Sequence, residues 1–278
     1  NILINVRMSL VTTNWLSNNL NNVKIIDCSW HLPSSNRDSY EEYLHEHIPN
    51  SIFFDLDKNS DLKSDLPHML PNKDTWEQNI SNLGITNKDR IIIYDNSDLI
   101  SSCRCWYNFI YFGHNPKLVS VLNGGLKKWK TEKKILTKEI KKINKSKYQT
   151  DEQKKLVKDK NQIDLNIIKK EFLVIDARSK KRFKGLAPEP RSDVRSGSIE
   201  NSYCLPFNEL INEDNTFKDH NQISQKFIQI LKNDNDTKIV FSCGSGVTAA
   251  VLALAYSLIN NKYKPSIYDG SWAEYGKI

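Results

Sequence analysis

The first half of this chain is repeated, weakly but in order, in the second half. An apolar run that ends on Asp27 corresponds to one that ends on Asp176, and residues 91–95 correspond to residues 239–243. The offset of about 150 residues is far longer than the periods of solenoid repeats, so it indicates a duplicated domain. A length of 278 residues also suits two domains of ordinary size.

Within each copy, short apolar runs alternate with segments of helical pattern. The runs at residues 91–94 and 239–241 are continuously apolar, which is typical of strands covered on both faces of a parallel sheet. The pattern predicts an α/β protein of two tandem domains, each a parallel sheet flanked by helices. In such sheets ligands bind at the carboxyl ends of the strands. We place the first domain at residues 1–131, a linker at 132–160 and the second domain at 161–278.

The predicted linker carries most of the excess positive charge. The chain has a formal net charge of +7, and residues 131–160 contain eleven lysines against five acids. A nucleic-acid-binding segment would interleave arginines and aromatic side chains with its lysines, and Tyr148 is the only aromatic residue here. Because charge runs usually solvate or extend a chain, we expect a solvated linker or surface and no nucleic-acid partner.

Cysteine usage bears on the compartment and on metal content. The chain has five cysteines, and their spacing matches neither a disulfide framework nor a zinc site, since Cys103 and Cys105 form only a lone CxC pair. We expect no metal and a reducing compartment, either the cytoplasm or, in a eukaryote, the mitochondrial matrix. The first residues lack the pattern of a signal peptide, and the longest apolar helix, near residues 249–259, is too short to span a bilayer. No membrane partner is expected.

The chemistry of the second copy centres on Cys243. Residues 238–242 have the pattern of a buried strand, residues 244–246 are small, and an apolar helical pattern follows. Main-chain N–H groups and the positive end of a helix dipole would surround the sulfur and stabilise a thiolate, which is a nucleophile. A small buried hydrophobe is the alternative for a free cysteine, although packing alone does not need glycines on both sides of Ser245. The equivalent residues 94–96 of the first copy include no thiol.

These segments resemble the two-domain rhodanese-like sulfurtransferases. The resemblance extends over nearly the whole chain outside the lysine-rich linker, and the order of the motifs agrees with it. The segments that carry it are residues 10–16, 53–57, 67–71, 112–114, 182–185, 188–191, 243–248 and 269–275. The resemblance implies two tandem rhodanese-like domains, of which the first is non-catalytic, and an enzyme that transfers sulfur without a metal or an organic cofactor.

Within this family, the loop at residues 243–248 is similar to that of members that act on 3-mercaptopyruvate. Members that act on thiosulfate typically place Arg and Lys directly after the cysteine, which suits a dianion, whereas this loop has no charged residue. The resemblance implies that Arg182 and Arg191 hold the carboxylate and carbonyl oxygens of the substrate, since arginine suits bidentate contacts. A surface ion pair of Arg191 with Glu189 or Asp193 is the alternative. The remaining predicted substrate contacts come from the loop itself, at Gly244, Gly246, Val247 and Thr248.

Three polar residues match the positions that this family uses as a relay beside the nucleophile, namely Asp57, His68 and Ser245. A hydroxyl can donate to a developing charge, a histidine can orient it or supply a proton, and a carboxylate can fix the tautomer of the histidine. From the residues alone, a satisfied loop histidine at His68 and a turn residue at Asp57 are equally compatible interpretations. The chain departs from the family pattern at Cys103, Ala187 and Ser198, which affects loop and pocket shape and removes no proposed catalytic group.

The resemblance implies a ping-pong reaction through a persulfide on Cys243. The donor is a small molecule, 3-mercaptopyruvate, which leaves as pyruvate, and the acceptor is a small thiol, a reduced protein such as thioredoxin, or cyanide. Three other functions stay open: a thiosulfate sulfurtransferase, a non-catalytic rhodanese-like module that binds sulfur, and a cysteine phosphatase. The phosphatase interpretation is disfavoured because Ala249 and Ala250 stand where an arginine would have to close the loop on a phosphate.

Overall fold

The computed structural model describes residues 9–232 and 237–278, which form two parallel sheets of five strands each. The first sheet contains β1 (Leu10–Val11), β2 (Lys24–Asp27), β3 (Ser51–Phe53), β4 (Ile91–Tyr94) and β5 (Val119–Leu122). The second contains β6 (Val157–Lys158), β7 (Leu173–Asp176), β8 (Tyr203–Cys204), β9 (Ile239–Ser242) and β10 (Ile267–Tyr268).

Helices follow the strands in both halves. In the first half they are α1 (Thr13–Ser17), α2 (Ser39–His45), α3 (Lys73–Asn82), α4 (Ser102–Tyr111) and α5 (Gly125–Thr131). In the second half they are α6 (Lys160–Lys169), α7 (Lys180–Phe183), α8 (His220–Leu231), α9 (Val247–Ile259) and α10 (Ser271–Tyr275). Local sequence sets several of these starts, since Asp159 and Asp219 each form a capping box at the beginning of α6 and α8.

The two sheets have the same strand order. The first is β1-β5-β4-β2-β3 and the second is β6-β10-β9-β7-β8, with every neighbouring pair parallel. The central pairs share their register, since Asp27 lies opposite Tyr94 and Asp176 lies opposite Ser242. All residues of β4 and β9 are buried, as expected for strands covered on both faces. The predicted duplication and the predicted α/β class are confirmed.

The two domains join through α4 and α9, which pack against each other. Helix α9 is buried from Val247 to Ser257 and contains four alanines, whose small side chains let the large side chains of α4 approach closely. Trp106 and Phe109 of α4 lie in the same apolar core as Ala250 of α9. One core therefore crosses from one domain to the other, and the first turn of α9 lies against the first domain.

The lysine-rich segment runs along the first domain before it enters the second. Thr137 forms an isolated bridge with His47, and Tyr148 is buried in the core. Strand β6, within the segment assigned to the linker, is an edge strand of the second sheet and pairs with β10. The domain boundaries given above stay a prediction. Across the described residues, no helix is both long enough and apolar enough to span a membrane.

Candidate active site

The loop between β9 and α9 surrounds the sulfur of Cys243. Cys243 directly follows β9 and is 2% exposed. The main-chain N–H of Gly246 donates to its Sγ atom at 3.1 Å. The N–H of Cys243 itself donates to Ser271 Oγ at 3.1 Å, and the Ser271 hydroxyl donates in turn to the carbonyl of Tyr268. Because α9 begins at Val247, the sulfur also lies at the positive end of a thirteen-residue helix.

The loop is held in a shape that only glycine allows at one position. Gly246 has φ of 80°, and a Cβ atom there would overlap Nη1 of Arg104. The carbonyls of Cys243 and Gly244 accept hydrogen bonds from the N–H groups of Trp272 and Ala273 in α10. The loop is thus fixed from both domains. Of the predicted main-chain donors in the described structure, only the N–H of Gly246 makes a hydrogen bond to the sulfur; Val247 and Thr248 form the buried start of α9.

The three predicted relay residues lie together beside this loop. Ser245 Oγ is 3.0 Å from Nδ1 of His68, and Nε2 of His68 is 3.0 Å from Oδ1 of Asp57. The indole N–H of Trp30 donates to the other carboxylate oxygen of Asp57 at 2.9 Å, and the Trp30 ring meets the imidazole edge-on. Ser245 comes from the second domain, and the other three residues come from the first. The relay therefore exists only where the two domains meet.

The charges of this group follow from its surroundings. Burial lowers the pKa of His68, although the hydrogen bond and charge of Asp57 oppose the shift. Partial burial raises the pKa of Asp57, but the hydrogen bond and charge of His68 outweigh it, and the pKa lies below its usual range. At neutral pH the pair is therefore a carboxylate and a neutral imidazole. Because a carboxylate only accepts, Nε2 carries the proton and Nδ1 accepts from the hydroxyl of Ser245.

Arg182 lies near the loop and is held by a buried carboxylate. Its guanidinium makes several hydrogen bonds to Glu189, including Nε contacts of 3.2 Å to both oxygens. A Cβ atom at Gly244 would be 3.2 Å from Arg182 Nη2, which places this arginine beside the loop. Glu189 is fixed by the buried Arg178, whose Nη1 donates to it at 2.7 Å and which also pairs with Asp176. A chain of alternating charges thus orients Arg182.

Arg191 is half-buried, and its guanidinium makes no hydrogen bond or ion pair with any residue that the structure describes, although its carbonyl accepts from the N–H of Val194. Burial lowers the pKa of Arg191, and the neighbouring charge of Arg182 lowers it further, whereas the nearby Cys243 raises it. The alternative of an ion pair with Glu189 or Asp193 is not observed, because Glu189 is bound by other arginines. Its guanidinium donors are free to bind an anion.

Sequence reasoning missed Arg104, a fully buried residue of α4 in the first domain. Its Nη2 donates to the carbonyl of His68 at 2.7 Å and to the carboxylate of Asp269 at 2.6 Å, and its Nη1 donates to the carbonyl of Gly246 at 3.3 Å. The second oxygen of Asp269 accepts from the N–H of Leu70 at 2.8 Å. One guanidinium therefore connects the cysteine loop with the histidine of the relay. The sequence feature that could have identified it is a charged residue inside a mostly apolar helical pattern. An arginine buried in such a helix needs hydrogen-bond or ion-pair partners from elsewhere in the chain.

The four other cysteines lie in different environments. Burial raises the pKa of Cys28 and of Cys103 well above the ordinary value, and burial followed by the charge of Asp176 raises the pKa of Cys204 to about 11. All five cysteines are free thiols. Cys243 alone accepts a main-chain N–H from a tight loop at the start of a helix. This geometry favours a role in catalysis for Cys243 over a role in packing alone.

The rhodanese-like domain family matches residues 12–132 and 150–277. These two ranges contain the two sheets described above, and the chain therefore belongs to the rhodanese-like family.

Named relatives narrow the activity. The chain is 38% identical over 289 residues to thiosulfate/3-mercaptopyruvate sulfurtransferase 1, mitochondrial, of Arabidopsis thaliana, covering 96% of this chain and 75% of that protein. Tum1 of Saccharomyces cerevisiae is 31% identical with a TM-score of 0.87, over 97% of this chain and 95% of that one. SseA of Escherichia coli, described among 3-mercaptopyruvate sulfotransferases, is 30% identical with a TM-score of 0.84, over 95% and 99%. The prediction of an enzyme that transfers sulfur is confirmed.

Proposed function

We propose that this sulfurtransferase takes sulfur from 3-mercaptopyruvate, holds it as a persulfide on Cys243 and releases pyruvate. The observation that carries the proposal is the line of Ser245, His68 and Asp57 beside a sulfur that already accepts a main-chain N–H. The loop around that sulfur has no charged side chain. SseA is named for 3-mercaptopyruvate, and the Arabidopsis relative is named for both thiosulfate and 3-mercaptopyruvate.

The first step is nucleophilic attack by the Cys243 thiolate on the sulfur of the substrate. The S–S bond forms while the C–S bond breaks, and the electron pair of the C–S bond moves onto the methylene carbon to give the enolate of pyruvate. The proton of the substrate's thiol is released as the outer sulfur becomes a persulfide anion, and one proton is taken up by the enolate carbon. The step therefore balances without an oxidant or an external acid. The Gly246 N–H and the start of α9 stabilise the negative sulfur.

Ser245 and His68 are proposed to carry that proton. Since the neutral imidazole accepts from Ser245 at 3.0 Å, the serine oxygen can accept a proton from the substrate's thiol while its own proton passes to Nδ1. The imidazolium formed in this way lies against the carboxylate of Asp57, which stabilises its charge. Reversal of the same path delivers the proton to the enolate.

Arg182 and Arg191 are proposed to hold the carboxylate and carbonyl oxygens of the substrate. Arg182 is oriented by Glu189, and the donors of Arg191 are free among the described residues. Gly244, Gly246, Val247 and Thr248 are proposed to contact the substrate from the loop. Neither cation comes from the loop itself, which differs from the Arg and Lys that thiosulfate-specific members typically place directly after the cysteine and so favours 3-mercaptopyruvate as the donor.

The proposed acceptor is a small thiol, the exposed cysteine of a thioredoxin-like protein, or cyanide. Because Cys243 is 2% exposed, a narrow nucleophile can reach the outer sulfur more readily than a broad one. Thiol acceptors need a reducing compartment, and five free cysteines fit one. We therefore propose the cytoplasm or the mitochondrial matrix.

The test combines mass spectrometry with a comparison of donors. Incubation with 3-mercaptopyruvate, without acceptor, is expected to make the protein heavier by one sulfur atom and to release one equivalent of pyruvate. Cys243→Ser is expected to abolish both signals, and Cys204→Ser, which removes another free thiol that is partly exposed, is the matched control. Persulfide formation in Cys243→Ser would refute the proposal. A higher kcat/KM for thiosulfate than for 3-mercaptopyruvate would favour the thiosulfate alternative instead.

A further inference from the structure

A cavity lies at the opposite end of β9 from Cys243. It has a volume of about 690 Å³ and lies between α6, the end of α9 and the amino end of β9. Val240 lines it, three residues before Cys243 on a strand that rises about 3.3 Å per residue, so the cavity is about 10 Å away from the sulfur along the chain. Its volume lies within the range of pockets that hold small organic ligands, about 300–1,000 Å³.

The rim of this cavity is strongly positive. Six of the lining residues are lysines, namely Lys155, Lys158, Lys169, Lys238, Lys262 and Lys264. Glu171 is the one acid among the lining residues in the described structure. None of the six ammonium groups makes an ion pair with any residue in 9–232 or 237–278. One of them, Lys158, lies over the ring of Phe172. Neither the sulfur chemistry nor the domain contact accounts for these charges, which include two lysines of the lysine-rich segment.

The inner wall of the cavity is apolar and contains an unsatisfied hydroxyl. Leu156, Val240 and Tyr256 contribute buried apolar surface to the wall. Ser266 also lines the cavity, is 9% exposed, and its Oγ atom has no hydrogen-bond partner among the described residues. A buried hydroxyl normally has a partner, so an orphan one at a cavity wall indicates a ligand atom or a water in that place.

We propose that this cavity binds an organic anion with an apolar body. The charged head, a carboxylate or a phosphate, contacts the lysine rim, and the hydrocarbon or aromatic body lies on the apolar wall within reach of Ser266. An inorganic anion would leave the wall uncovered, and a neutral apolar molecule would leave the ammonium groups unpaired. The site is independent of the proposed function, because it contains none of the groups assigned to sulfur transfer.

Titration calorimetry on the full chain tests the proposal with octanoate, 1-octanol and inorganic phosphate as probes. Octanoate is expected to bind at least about tenfold more tightly than either of the others, because only it uses both the rim and the wall. Hydrogen exchange with octanoate is expected to show protection confined to residues 155–172, 237–240 and 256–266, which excludes the loop around Cys243. Equal binding of octanoate and octanol, equal binding of octanoate and phosphate, or protection elsewhere would each overturn the proposal.

Charge variants separate this site from general attraction by a basic protein. The double variant Lys262→Gln with Lys264→Gln is expected to weaken octanoate binding by about tenfold, since each lysine removed costs part of a charge-assisted contact. The matched control is Lys141→Gln with Lys142→Gln, two exposed lysines of the lysine-rich segment that do not line the cavity. The control is expected to bind octanoate as the native chain does. If both double variants weaken octanoate binding equally, the effect comes from the net charge of the protein, and the proposed site is refuted.

Discussion

Replacing Arg104 with methionine removes a buried charge that the first domain contributes to the cysteine loop. Arg104→Met keeps the length of the side chain but removes its charge. The carboxylate of Asp269 then still accepts from the N–H of Leu70 but has no cation beside it. Breaking a buried ion pair by removing one partner costs about 3–5 kcal/mol. For domains of this size each kcal/mol shifts Tm by about 2–4 °C, so calorimetry is expected to show a fall in Tm of about 10 °C.

The same change is expected to reduce sulfur transfer by about a hundredfold in kcat/KM, because displacements near 1 Å in a catalytic constellation cost about that much. Arg104 donates to the carbonyls of both His68 and Gly246, so its loss frees the relay and the loop at once. The assay is pyruvate release from 3-mercaptopyruvate, measured below the Tm of the variant.

A double variant separates positioning from folding. Arg104→Met with Asp269→Asn removes the unpaired charge while the amide oxygen still accepts from Leu70, so most of the lost stability is expected to return. Activity is expected to stay low, because the two carbonyls still lack their donor. If the double variant regains both stability and kcat/KM, Arg104 acts only through folding and our reasoning about the loop is wrong.

Two further predictions concern residues that act through others. The hydrogen bond and charge of Asp57 raise the pKa of His68, so Asp57→Asn is expected to lower that pKa further. The acid limb of the pH profile of kcat/KM is then expected to move to lower pH. An acid limb at the same pH as in the native chain would contradict the relay. Glu189→Gln is expected to raise KM for 3-mercaptopyruvate by about tenfold with kcat nearly unchanged, because Arg182 then loses the carboxylate that orients it. Steady-state kinetics measures both constants, and a lower KM would contradict the prediction.

The strands at the centre of each sheet could be predicted, and the edge strands could not. Residues 91–94 and 239–241 are continuous apolar runs in strands buried on both faces, and that pattern is visible without a structure. The edge strands β1 and β6 are two residues long, which is too short for any periodicity to appear. Strand β6 exists because β10 provides a partner, and that partner is more than a hundred residues away.

In the candidate site, too, some residues could be predicted from local sequence and others could not. Cys243 and Ser245 lie on one short loop, so their proximity follows from spacing alone. His68 and Asp57 are far away in the chain, and only the family resemblance linked them to that loop. Arg104 lies in a helix whose burial depends on packing across the domain contact, so no local pattern assigned it a partner. The sequence therefore predicts the nucleophile from local chemistry, whereas the residues that orient it depend on tertiary structure.

The shared core of α4 and α9 has a consequence for how the duplicated halves can change. A copy that has no thiol in the equivalent loop is ordinarily under weak constraint outside the residues that contact the site. Here α4 packs against α9, and α9 begins one turn after Cys243, so a substitution on α4 is expected to shift the start of that helix. The sequence of the first half is thereby constrained by the site in the second half. Neither half can be exchanged for an unrelated rhodanese-like domain unless the residues between α4 and α9 are changed to pack again.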